Sequence, residues 1–148
     1  MPSPESLEFA QQFFRKAVED RDAVEILIAS DRAADAVIGF HAQQAVEKFA
    51  KAVLVARDIE MPRTHDLRFL LDLAGSEGLE IPEAVAASRW LTPWSVEFRY
   101  GDDIEGPFDR AAAIATVRAV EQWAAAILAA DRAPSMGRGG LEPPRDGL

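Results

Sequence analysis

Cysteine is absent from the 148-residue chain, which excludes a disulfide framework, a zinc centre built on thiolates and a thiol nucleophile. A reducing compartment fits that absence. Histidine is scarce: His41 and His65 stand too far apart for any recognised zinc spacing. Asp102-Asp103-Ile104-Glu105-Gly106 lacks the alternating oxygen ligands of a calcium loop. No metal and no cofactor is therefore expected. Residues Met1 to Glu5 lack the basic start and apolar run of a signal peptide, and no apolar run approaches the roughly 20 residues that span a bilayer. These absences predict a cytoplasmic protein with no membrane partner. Cations are outnumbered, 16 Lys plus Arg against 25 Asp plus Glu for a formal charge of -9, which opposes a large non-specific grip on phosphodiester backbones. A local basic pocket stays open to such a chain.

Alternation of apolar and polar residues is missing too, as is any repeat of fixed period. What is present is helical periodicity, in a chain long enough to bury a core without covalent staples. From Ser3 to Ala29, Leu7, Ala10, Phe14, Ala17, Val24, Leu27 and Ile28 recur at helical spacing, behind a Ser3 cap and Pro4 in the first turn. Ser30 or Asp31 is expected to cap a second helix running to about Arg57, with Ala42, Val46, Phe49 and Val53 as its stripe. After a proline-bounded turn at Pro62, Thr64 is expected to cap a third helix carrying Leu67, Leu70, Leu71 and Leu73, closed by Gly75 and Gly78. Pro82 opens a helix that Thr92-Pro93 breaks and that resumes through Trp94 and Phe98 to Gly101. Phe108 onward gives the last helix, with Ala113, Val117, Val120, Ala124, Ile127 and Leu128 on one face.

Short connections between such helices predict an all-α, up-and-down bundle of four to five antiparallel helices over residues 1–132. Beyond it, Ala133-Pro134-Ser135-Met136 and the glycines to Gly140 carry too little apolar surface to offset ordering entropy, so residues 133–148 are expected to form a disordered tail. Those glycines lie outside any strand-to-helix turn and are not a phosphate-binding loop.

The segment Phe40-His41-Ala42-Gln43-Gln44-Ala45-Val46-Glu47-Lys48-Phe49-Ala50-Lys51-Ala52-Val53-Leu54 resembles the second-helix signature of HEPN domains, the nucleotide-binding domains of higher eukaryotes and prokaryotes. Pro62-Arg63-Thr64-His65-Asp66-Leu67 follows at the family's spacing. Glu97-Phe98-Arg99-Tyr100 is similar to the end of the family's penultimate helix, with Gly101 where a proline is usual. The resemblance runs from about Leu7 to Ala130. It implies a helical bundle, frequent homodimerisation and a surface associated with nucleotides or RNA. It also implies a minimal nucleotidyltransferase as partner, in some pairs as toxin and antitoxin. Ribonucleases of the family carry an Arg followed after four to six residues by His. Here Ala36, Asp35 and Ala34 precede His41 at that spacing, Glu60, Ile59 and Asp58 precede His65, and Ile104, Glu105 and Gly106 follow Arg99.

The expected function is therefore a non-catalytic, dimeric nucleotide-binding module acting with a nucleotidyltransferase. Two alternatives stand beside it: a ribonuclease toxin built on an atypical constellation such as Arg63, His65 and Arg99, and a pure protein-interaction bundle. Candidate ligand contacts are His41, Gln44 and Lys48, which helical spacing puts in one polar row, with Arg63, His65, Arg99 and Tyr100. Each has a structural reading as well. His41 and His65 can bridge helices, Lys48 can face water, Thr64 and Asp66 can cap a helix, and Arg99 can pair with Asp102, Asp103 or Glu97. Trp90, Trp94 and Trp123 lie among apolar neighbours and are expected to be core or dimer-interface anchors, not stacking platforms.

Overall fold

Capping chemistry starts the first helix where the sequence places it. In the computed structural model, which describes residues 2–95 and 108–141 with side chains through Asp131, Ser3 Oγ accepts the Ser6 amide at 3.0 Å and α1 spans Pro4–Ile28. Ala10, Ala17 and Val24 are its fully buried positions. Their heptad spacing keeps one narrow, small-residue face toward α2 (Asp35–Ala56), so the two helices lie side by side along their length. Phe14 fills the seam edge-on against Phe49, with ring centroids 4.9 Å apart.

The start of α2 differs from expectation. Neither Ser30 nor Asp31 caps it: the N-cap is Ala34, with no side-chain hydrogen bond. Ser30 Oγ instead accepts the Arg32 amide at 3.1 Å in a local turn. The connection is organised from a distance by Arg110, whose guanidinium donates to the carbonyls of Ser30 (2.8 Å), Ala33 (2.7 Å) and Ile28 (3.4 Å) and pairs with Asp35. Those carbonyls belong to a helix end and its loop, where helical bonding has run out; Ser30 O also takes the Ala33 amide, at 3.4 Å. At its other end α2 closes in a Schellman turn: the Ile59 amide reaches Leu54 O at 2.9 Å, and Asp58 takes the left-handed φ of 55°.

The third helix also starts later than expected. Thr64 Oγ1 accepts the Asp66 amide in a turn, and Asp66 is the cap, its carboxylate accepting the Arg68 amide at 3.0 Å. Helix α3 (Leu67–Ser76) buries Leu67, Leu70, Leu71 and Ala74, and Gly78 reverses the chain at φ 97°. Behind Pro82, α4 (Glu83–Ala86) is a single turn that passes directly into a 3-10 segment, Ala87–Trp94. The break therefore comes before Thr92-Pro93. The tighter winding runs through Pro93, which contributes no amide, and ends at Trp94. The expected resumption through Phe98 to Gly101 lies outside the described residues.

Asp109 caps the last helix by accepting the Ala112 amide at 3.0 Å. Helix α5 (Arg110–Leu141) buries Ala113, Val117, Val120, Ala124 and Leu128, the stripe read from the sequence. Its bounds run past residue 132, into the segment expected to be a disordered tail. Within Arg110–Asp131 an 18-residue window reaches a mean hydropathy of 1.2, enough by length and composition to cross a bilayer. Packing accounts for that apolarity, because the same stripe forms the core against α1 and α2.

The described residues form an all-α fold of five helices and one 3-10 segment. Cross-helix pairs fix its topology. Asp20 meets His41 and Lys48, and Arg21 meets Glu121, so α1 runs antiparallel to both α2 and α5. Arg110 meets Asp35 and Arg57 meets Asp131, so α2 and α5 run parallel, the chain having returned through α3, α4 and the 3-10 segment.

Candidate functional site

One edge of α2 carries the polar cluster of the protein. Gln43, Glu47 and Lys51 follow at i, i+4 and i+8, beside the core positions Ala42, Val46, Phe49 and Val53. Helix α3 and its leading loop cover that edge. Gln43 and Glu47 are consequently buried, and a buried polar group must find partners. Glu47 finds three: Lys51 Nζ at 2.7 Å on one carboxylate oxygen, and Gln43 Nε2 and His65 Nδ1, both at 2.9 Å, on the other. Gln43 also donates to His65 O at 3.1 Å and accepts from Gln44 Nε2 at 2.9 Å. Both the backbone and the ring of His65 are thereby held by α2.

A second carboxylate works across the α1–α2 seam. Asp20 binds His41 Nδ1 at 2.9 Å through one oxygen and Lys48 Nζ at 2.6 Å through the other. The His41 and Lys48 side chains each remain 30% exposed, and His65 38%. Each histidine thus spends Nδ1 on a carboxylate while its ring stays partly open to solvent.

Burial alone would push the Glu47 carboxyl up. Hydrogen bonds from Lys51, His65 and Gln43 outweigh it, and the group is held below the ordinary carboxylate value. Glu47 is therefore an anion, and Lys51 and His65 are drawn to it.

The structure thus places His41 and Lys48 in one network through Asp20, and Gln44 and His65 in a second through the buried Gln43 and Glu47, side by side on α2. Arg63 is exposed and makes no hydrogen bond or ion pair with a described residue. Arg99 and Tyr100 lie outside the described residues. Sequence reasoning did not single out Asp20, Gln43 and Glu47. The i, i+4 spacing of Gln43, Glu47 and Lys51 was a legible signal for two of them, whereas nothing local marks Asp20 among the acidic residues of α1.

Chemically, an Asp-oriented histidine is half of an acid–base pair, and no cysteine exists to serve as its nucleophile. The strip also offers fixed N–H donors to an anion or to the edge of a base. Among the described residues, no cluster of three or more His, Asp or Glu could hold a metal ion. Arg68 and Arg89 flank a separate cleft of about 180 Å3 between α3 and the α4 region. The tryptophans serve packing: Trp123 Nε1 donates to Glu80 O at 3.1 Å, Trp90 Nε1 to Thr116 Oγ1 at 3.2 Å, and Trp94 stacks with Trp90 and Phe108 while lying directly over Gly39.

An all-α bundle whose second helix carries Phe40-His41-Ala42-Gln43-Gln44, with Thr64-His65-Asp66 docked against it, defines the class. The family profile of the HEPN domain matches residues 10–128, and the chain belongs to the HEPN family. No curated protein and no solved structure matches it significantly.

Proposed function

We propose that this HEPN protein is a non-catalytic, homodimeric module of the cytoplasm that binds a nucleotide or nucleotidyl group. In this reading it works with a minimal nucleotidyltransferase, as one member of a toxin–antitoxin type of pair. The observation that carries the reading is the strip of half-exposed donors, His41, Gln44, Lys48 and His65, held in place by carboxylates or by Gln43. Donors fixed before a ligand arrives lose less freedom on binding it. The missing Arg-to-His spacing supports the non-catalytic character. Titration calorimetry with ATP, GTP, AMP and short RNAs tests it. Binding well below millimolar, weakened by Asp20→Ala and by His41→Ala, is the expected result, and no binding below millimolar by any of these ligands refutes it.

One observation favours a second reading, an RNA-cleaving protein: Asp20 orients His41 as a general base is oriented. Degradation of total RNA by the purified protein, abolished in His41→Ala, would select that reading over the first.

A further inference from the structure

At the end of the bundle where α1 begins and α2 ends, large apolar side chains have no covering element among the described residues. Phe9 is 49% exposed on α1 and Phe69 is 48% exposed on α3. Between them runs the loop after α2, and the Schellman turn at Asp58 sets its course. A bond from the Ser6 hydroxyl to the Asp58 carboxylate fastens that turn to α1. The loop divides the surface into two hollows of about 330 and 450 Å3, and Ile59, Glu60 and Met61 line both. The two hollows adjoin along that loop, and together they make an interrupted trough from Phe9 to Phe69. Among the described residues the ionised groups lining it are of one sign: Asp58, Glu60 and Glu77.

We infer that this trough is a docking surface for a basic amphipathic helix of a partner protein. A contiguous apolar surface rimmed by charge is the form of a helix-binding groove, filled by side chains at i, i+3, i+4 and i+7. No strand occurs among the described residues, so no sheet edge competes as a docking mode. A second copy is a poor occupant: a two-fold contact through this patch would set Asp58, Glu60 and Glu77 against the same carboxylates. Nucleic acid is repelled for the same reason. Lysines and arginines flanking an apolar helix face satisfy both the rim and the floor.

This inference does not depend on the ligand of the histidine strip, because Asp20 lies about 16 Å farther along α1 than Phe9 at 1.5 Å per residue. The test uses a fluorescein-labelled synthetic amphipathic peptide with leucines on one face and lysines and arginines beside them. Its counterpart carries glutamates in their place. Fluorescence anisotropy with the full-length protein is expected to show micromolar binding of the basic peptide, falling with added salt, and none of the acidic one. Phe9→Ser, Phe69→Ser and Glu60→Lys should each weaken binding about tenfold while leaving nucleotide binding unchanged. Glu60→Lys alters only an exposed side chain and carries the test if a phenylalanine variant loses stability. Equal binding of both peptides, no binding below millimolar, or variants that bind like the parent would overturn the inference. So would sedimentation showing a dimer that Phe69→Ser dissolves, since a second copy would then fill the trough.

Discussion

Removing the Glu47 carboxylate should cost more than any other single change in the polar network. In Glu47→Ala, Lys51 loses its anion, with its side chain only 13% exposed, and Gln43 and His65 each lose a hydrogen bond. Breaking a buried ion pair by deleting one partner costs about 3–5 kcal/mol. Lys51 and His65 both retain a path to solvent, so the lower end applies, about 3 kcal/mol. With a urea m-value of about 1–3 kcal/mol/M for a small protein, the midpoint at pH 7 should fall by roughly 1–3 M. Glu47→Gln keeps the shape and should cost less, because an amide can still accept one of the three bonds. The pH dependence follows from the sign of the shift. The Glu47 pKa is depressed in the folded protein, so its contribution is fully present above the unfolded carboxylate's value. It is lost as pH falls through the lower folded value. Urea midpoints measured from pH 7 down to pH 3 should converge for parent and Glu47→Gln at the acid end. A loss under 1 kcal/mol for Glu47→Ala at pH 7, or curves that stay parallel into acid, would refute the reasoning.

Arg110→Ala removes the guanidinium from three carbonyls of the α1–α2 connection and should cost about 2–4 kcal/mol. Thermal unfolding should show a drop of roughly 10 °C, and Arg110→Lys should restore little, because an ammonium cannot span the same set of acceptors. Gly39→Ala places a methyl 2.2 Å from Trp94 Cδ1. The gain in helix propensity, about 1 kcal/mol, is outweighed by overpacking of about 1–3 kcal/mol. The expected readout is a net loss of stability with an altered near-ultraviolet circular dichroism spectrum, and a more stable variant with an unchanged spectrum would show that Trp94 does not rest on Gly39.

Much of the fold was legible because helix-forming signals are local. The Ser3 cap, the stripe of α2 and the stripe of α5 all appear at the positions their spacing gives. One error falls where a distant residue overrode a local one. Ser30 and Asp31 offered plausible caps for α2, yet Arg110 satisfies that connection from across the bundle. The same division holds in the site. Spacing along α2 put His41, Gln44 and Lys48 in one row, but the residue that binds two of them, Asp20, comes from another helix.

The order of residues along the chain determined its helices, their apolar faces and its family, since periodicity and motif spacing are properties of neighbouring positions. Tertiary structure alone decided that α5 runs parallel to α2, that Glu47 is buried and ionised, and that Phe9 and Phe69 share one acid-rimmed trough. These depend on which helix lies against which, and burial, pairing and charge clustering are set by contacts between segments far apart in the chain.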